Sequence, residues 1–509
     1  MTDVRRALLN LSRSYTFDGA QFDLSRTDPV VLPATPIENL GNKNFLTDHG
    51  SRFPYVAGAM ANGIASVELV QAMVRRGFVG IYGAAGQNIE TVTSAIDRLQ
   101  AEFKSEPFGF NLIHSPNEPD HEDAVARLFI ARKVRLVEAS AYLQLTLPVV
   151  RYRVHGIHLG ADGNIVVPNR VIAKVSRIEV ATPFLSPPPE AMLSKLIEDG
   201  SITTEQATLA KKIPMCDDLT VEADSGGHTD NRPMLALFPT MLALRERIQN
   251  TYQYQNAARL GAAGGIGSPA AASAAFAMGA DYIVTGTINQ ACIESGSSDE
   301  VRQMLASAGQ ADVAMAPAAD MFEMGVKVQV LKRGTMFPMR AAKLYEIYQR
   351  NACLDDIPSN ERTILESQFF RKSFEDVWAD TRTYFSKRDP REVERADRDP
   401  RHKMALVFRS YLGQASSWAN RGQSDRKIDF QVWCGPAIGA FNEWVKGSFL
   451  EQASERRVAN VAMNILYGAA VLNRAAILRY QGVDARYLTN DWRPREDNEL
   501  QQLLECGTL

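Results

Sequence analysis

From about residue 50 onward, short apolar runs alternate with longer segments whose apolar positions recur at helical spacing. The runs at 53–59, 78–82, 108–113, 136–139, 171–175, 218–223, 260–263 and 282–285 predict eight buried strands. Between the first two, Val67, Val70, Gln71 and Val74 follow helical spacing over 66–76, with Ser66 placed to cap the helix. Further helices are predicted at 89–103 and 123–133. Eight strands, each followed by a helix, within about 250 residues is the pattern of a (β/α)8 TIM barrel. A doubly wound sheet shares that alternation, because strand count alone does not show closure.

The alternation divides the chain into an N-terminal segment (1–49), a barrel (50–295) and a helix-rich C-terminal subdomain (296–509). Three prolines at 187–189 mark a helical insertion over about 183–213. Residues 326–330 alternate and predict an isolated strand. Acids and bases crowd 382–403, which predicts a solvated face or a mobile loop. The most apolar stretch, 458–479, contains Asn460, Asn464, Asn473 and Arg474, so it reads as a packed helix rather than a membrane span.

Composition narrows the class without naming a chemistry. Of 509 residues, 45% are hydrophobic and 23% charged, which excludes disordered, collagen-like and disulfide-stapled classes. A net charge of −3 gives no reason to expect a nucleic-acid partner. The five cysteines are scattered, with no CxxC pair, and read as reduced thiols in a cytoplasmic protein. The first residues lack the apolar core of a signal peptide.

Candidate chemistry collects at predicted strand ends. After the seventh run, Leu260-Gly-Ala-Ala-Gly-Gly-Ile-Gly-Ser-Pro269 leads into an alanine-rich helix. Glycines admit a ligand close to the backbone, and a helix start presents free N–H groups to an anion. The loops after strands seven and eight are the usual phosphate site of a barrel, and Gly286-Thr287 supplies the second one. Gly265, Gly267 and Ala270 also fit a dinucleotide fingerprint, but the acidic residue that should follow is missing. A tight turn without a ligand is the plainer alternative. After the sixth run, Ser225-Gly-Gly-His228 places a histidine on a glycine turn, either for proton transfer or hydrogen-bonded within its own loop. Small residues at 58–61 leave room for a flat ring, and Asn111 offers both a donor and an acceptor. Lys174 either brings positive charge into the barrel mouth or pairs with Glu179 or Glu222. No G-x-S-x-G elbow, Walker A lysine loop or H-E-x-x-H occurs, and His155 with His158 lacks the company a zinc site needs, so no metal is expected.

Taken together, Gly58-Ala-Met-Ala61, Gly109-Phe-Asn-Leu112, Ser225-Gly-Gly-His228, Ala263-Gly-Gly-Ile266 and Gly286-Thr287 resemble the flavin-dependent enoyl reductase and nitronate monooxygenase superfamily. The segments 222–233, 320–335 and 433–444 sharpen the resemblance to the PfaD-type enoyl reductases of polyunsaturated-fatty-acid and trans-acyltransferase polyketide synthases. This resemblance implies an FMN-bound barrel with a helical companion. It implies hydride transfer from NADPH or NADH to an enoyl thioester on an acyl carrier protein, beside other synthase subunits, and leaves a homodimer open. By the same resemblance, FMN phosphate falls on Gly264, Gly265, Gly286 and Thr287, and the ring on Ala59 and Met60 near Asn111. Gly58, Lys174, Gly226, Gly227 and Ala263 complete the expected cofactor set, and His228 matches the active-site histidine. The sequence Thr229-Asp230-Asn231-Arg232 after it departs from the short bacterial reductases, which puts the mouth shape and donor preference in doubt. Three other readings share these features: a nitronate monooxygenase, a catalytically idle flavin subunit of a synthase, and a phosphate-binding barrel of the inosine-monophosphate dehydrogenase type. The last needs a cysteine after strand six, where this loop carries His228.

Overall fold

A computed structural model describes residues 2–22, 28–104, 107–116, 118–484, 488 and 492–506. Eight strands form its centre: β1 (Tyr55–Ala57), β2 (Val79–Tyr82), β3 (Phe108–Ile113), β4 (Leu136–Ser140), β5 (Arg170–Val175), β6 (Asp218–Glu222), β7 (Arg259–Ala263) and β8 (Tyr282–Thr285). All are parallel and pair in chain order, and β8 returns to β1 through Ile283 opposite Tyr55 and Val284 opposite Val56. The ring is therefore closed, and the doubly wound alternative falls. Every residue of β1, β2, β4, β7 and β8 is buried, as expected of strands covered on both faces.

Side chains from alternate strands fill the ring, among them Val56, Ile81, Leu136, Ile172 and Tyr282. Phe45, on the helix Lys43–His49, stacks on Tyr282 with ring centroids 4.4 Å apart and plugs the lower end. Gly261 lets that tyrosine lie flat, since a Cβ there would stand 2.3 Å from its ring. Around the plug, Asp218 Oδ2 lies 2.7 Å from His49 Nε2, and Asp218 Oδ1 accepts from Arg259 Nε at 2.6 Å. These partners overcome burial and hold the Asp218 carboxyl well below its ordinary pKa.

Ser66 caps the helix Val67–Arg75 as predicted, accepting from Leu69 N at 3.0 Å. The insertion after β5 consists of three helices, Ile178–Leu185, Glu190–Glu198 and Thr204–Ala210. The first of these begins ahead of the expected boundary and tolerates Pro183 within it. The helix Val458–Tyr480 is long and apolar enough to cross a membrane, yet 78% of its apolar window is buried inside the protein. Its Arg474 donates to Ala7 O at 2.8 Å and to Arg13 O at 3.2 Å, which ties down the N-terminal segment. The side chain of Cys506 lies outside the described residues.

Two expectations need correction. The strand expected to be isolated is β10 (Lys327–Leu331), which pairs antiparallel with β9 (Val313–Pro317) and with the two-residue strand Gly227–His228. One partner is the neighbouring strand just upstream, and the other, Gly227–His228, lies about a hundred positions away, where no local pattern points to it. The charge-dense stretch around 382–403 is helical rather than a mobile loop, running through Phe374–Arg388, Pro390–Arg398 and the start of Pro400–Arg421. Asp389 and Asp399 each cap the helix that follows, and some of the other charges pair, as Arg382 does with Asp397 at 3.1 Å.

Candidate active site

A cavity of about 1320 Å³ opens at the C-terminal ends of the barrel strands, with the C-terminal region forming its far wall. All thirteen residues selected from the sequence line it: Gly58, Ala59, Met60, Asn111, Lys174, Gly226, Gly227, His228, Ala263, Gly264, Gly265, Gly286 and Thr287.

The glycine loops follow β7 and β8. Gly264 and Gly265 have φ of 88° and 74°, left-handed conformations that favour glycine. A Cβ on Gly264 would stand 2.7 Å from the Ala223 backbone, whereas one on Gly265 or Gly286 would meet no protein atom within 4 Å. Packing within the chain therefore explains the first glycine but not the other two, which open onto the cavity. Thr287 begins a helix of 4 residues, whose first N–H groups have no partner inside the helix. Its Oγ1 accepts from Gly435 N at 3.2 Å, which brings the C-terminal region against this loop.

The loop after β1 is pinned from two sides. Gly58 N donates to Thr285 O and Ala59 N to Glu138 Oε2, both at 3.0 Å. Glu138 thus joins the loop to Lys174, whose Nζ lies 3.3 Å from Glu138 Oε1 and 3.5 Å from Glu222 Oε1. The expected pairing of Lys174 with Glu222 is present, while Glu138 takes the place considered for Glu179. Burial would lower the lysine pKa, but the two carboxylates raise it. Burial and the neighbouring Glu138 push the Glu222 carboxyl up, against the pull of Lys174. Asn111 Nδ2 donates to Glu138 O at 3.1 Å and to Ser140 Oγ at 2.8 Å, so the side chain is fixed through its nitrogen.

His228 is held by its backbone in the ladder with Val328 and by its ring, with Nε2 3.0 Å from Asp320 Oδ2. Both groups face the cavity, so they keep accessible area although protein surrounds them. Burial would favour the neutral imidazole. The Asp320 hydrogen bond and charge outweigh it, with Glu222 adding to them, and raise the His228 pKa.

Sequence reasoning did not single out Asp320, Glu138 or Glu122. Glu138 carried a signal, as a lone acid within the apolar run Leu-Val-Glu-Ala-Ser of β4. Glu122 is buried and accepts from Tyr142 Oη at 3.1 Å and from Ser115 N at 3.3 Å, fixing the loops after β3 and β4 to each other.

Residues 43–358 match the nitronate monooxygenase family, and residues 351–430 match the inserted helical domain of [acyl-carrier-protein] S-malonyltransferase. The chain is 47% identical over 457 residues to a polyunsaturated fatty acid synthase subunit of Thraustochytrium sp., covering 88% of this chain and 30% of that protein. It is 44% identical over 436 residues to the polyketide biosynthesis protein PksE of Bacillus subtilis, covering 86% of this chain and 56% of that one. The chain therefore spans less than two thirds of the length of these curated relatives. Among solved structures, the enoyl reductase domain of MlnA, from the macrolactin biosynthesis cluster of Bacillus amyloliquefaciens, superposes with a TM-score of 0.82. That match has 38% identity and covers 88% of this chain and 99% of the domain. The fold thus recurs over most of the chain, and the chain belongs to the nitronate monooxygenase family, within it to the PfaD-type enoyl reductases of polyunsaturated-fatty-acid and polyketide synthases.

Proposed function

We propose that the protein reduces the 2,3-double bond of an enoyl thioester presented by an acyl carrier protein, using FMN and a hydride from NADPH or NADH, alongside other synthase subunits. One observation carries the reading: the glycine cradle and the His228–Asp320 pair open into the same cavity. The residues suit FMN. Gly265 and Gly286 leave space that nothing in the chain fills, which lets a phosphate come close to the backbone. The pinned Ala59–Met60 backbone, with Asn111 in the same cavity, forms a small-residue bed for a ring. Bound flavin would supply the hydride that reaches the β-carbon.

The remaining work falls to the chain. As the β-carbon gains hydride, negative charge develops on the thioester oxygen, and the α-carbon then takes up a proton. His228, whose pKa Asp320 raises, either donates a hydrogen bond to that oxygen or gives its proton to the carbon. Lys174 and Glu138 keep the bed in place.

Three measurements test the proposal. The flavin released by mild denaturation is identified by mass, and FAD or no flavin in reconstituted protein refutes the cofactor. Anaerobic reduction with NADPH is then followed by mixing with a crotonyl-carrier thioester, which should reoxidise the flavin. Turnover of a nitronate with oxygen, without any reaction of the enoyl thioester, would assign the opposite chemistry.

A further inference from the structure

Leu143, Met324 and Tyr384 are large side chains with 49%, 65% and 52% of their area exposed. They belong to three segments distant in the chain, yet all three line the cavity that holds His228. Exposed apolar groups that converge on a reaction site act together as a binding surface.

Their place in the ring gives direction to that surface. Leu143 follows β4, and Tyr384 lies on the helix Phe374–Arg388, which is clamped to the loop after β3. Arg388 Nε and Nη2 donate to Glu118 Oε1 and Oε2 at 2.6 and 2.8 Å, and Arg391 Nη2 donates to Asp120 Oδ2 at 3.0 Å. The Arg388 guanidinium also stands 5.7 Å from the centre of the Tyr384 ring. In a closed ring of eight strands, β3 and β4 stand opposite β7 and β8. The wall therefore faces the glycine cradle across the mouth. Met324 connects the wall to the chemistry, because its segment begins at Asp320, beside His228. The volume of about 1320 Å³ exceeds the roughly 300–1,000 Å³ of an ordinary small-molecule pocket, leaving room for a second molecule beside a flavin.

We propose that Leu143, Met324 and Tyr384 form the wall that receives the acyl chain beyond C3, and that they set the preference for longer over shorter enoyl thioesters. This inference rests on the function proposed above. It gives the helical segment a role in specificity: the segment supplies Tyr384, and its ion pairs with Glu118 and Asp120 hold that ring over the mouth.

The test compares butenoyl and decenoyl pantetheine as substrates, and butyryl and decanoyl pantetheine as calorimetric ligands of the purified holoenzyme. Tyr384→Ser and Met324→Ser should each lower the decenoyl-to-butenoyl ratio of kcat/KM about ten-fold, the scale on which an apolar pocket discriminates methylenes. The same variants should weaken decanoyl binding while sparing butyryl binding, and Tyr384→Phe should keep the wild-type ratio. Equal losses for both chain lengths, or wild-type protein that binds decanoyl no tighter than butyryl, would overturn the inference. If no enoyl thioester is reduced but the variants still lose decanoyl binding selectively, the reaction assignment fails and the acyl wall stands.

Discussion

His228 Nε2 and Asp320 Oδ2 meet at 3.0 Å across 92 positions of sequence, one from the loop after β6 and the other from the C-terminal region. The contact raises the imidazole pKa above its ordinary 6.5, so the protonated form persists to higher pH than in a free imidazole. A step that needs this form runs fully at low pH and is lost as pH rises through the raised value. His228→Ala should slow flavin reoxidation by the enoyl thioester about 10²–10⁴-fold. Asp320→Asn should move the basic limb of that rate to lower pH. Stopped-flow absorbance across pH reads both, and a limb that stays in place would remove Asp320 from the titration.

Gly286→Ala separates the ligand from the fold. Its backbone, at φ −129° and ψ −79°, lies outside the α and β regions, so a side chain costs some strain there, but the added methyl meets no protein atom within 4 Å. The apoprotein should melt a little below the wild-type temperature while FMN affinity falls by more than that strain explains. Gly265→Val, at φ 74°, should also lose flavin but with some loss of stability. Flavin titrations paired with melting curves decide, and full occupancy in Gly286→Ala would show the loop to be only a turn.

Lys174→Met leaves Glu138 and Glu222 facing each other without their shared cation. Breaking a buried ionic group by removing one partner costs about 3–5 kcal/mol. The loss should be greatest where both carboxyls are ionised and should shrink as pH falls and one takes up a proton. Urea unfolding at several pH values measures it, and a pH-independent loss would contradict the account.

His402, only 2% exposed, lies between Glu392 Oε2 at 3.1 Å and Glu323 Oε1 at 3.4 Å. Burial opposes its charge, but the two carboxylates raise its pKa, and Glu323 in turn is drawn down to about 2. The stabilisation from His402 is complete below its unfolded pKa of about 6.5 and fades as pH rises through the raised value. The difference in melting temperature between wild type and His402→Gln should therefore be full below about pH 6.5 and narrow as pH rises through the raised value. A constant difference would mean that the imidazole contributes by packing alone.

Local pattern carried the barrel. Each of the eight strands is a short, largely apolar run followed by a helix, and signals of this kind act within a dozen residues. The glycine loops were legible for the same reason, since Gly264 and Gly265 need φ values that few other residues accept. What escaped depends on distant encounters. Nothing near Asp320 marks it as the neighbour of His228, and nothing in 326–330 shows that this strand would pair with Gly227–His228. The charges around Arg388 lie on a largely solvated face, one of the two expectations for this stretch; the other, a mobile loop, arose because partners such as Glu118 and Asp120 lie some 270 positions away.

The ladder between Gly227–His228 and β10 also bears on how such enzymes can be rearranged. The strands of the barrel end at Thr285, a natural place to cut or graft, yet the backbone of His228 is shaped by a strand that lies beyond it. Exchanging the tail between two relatives would transplant the acid strength of the histidine, through Asp320, together with the shape of the mouth. Chimeras joined there would take the partner that tunes His228 from the tail, while the glycine cradle and His228 itself stay with the barrel.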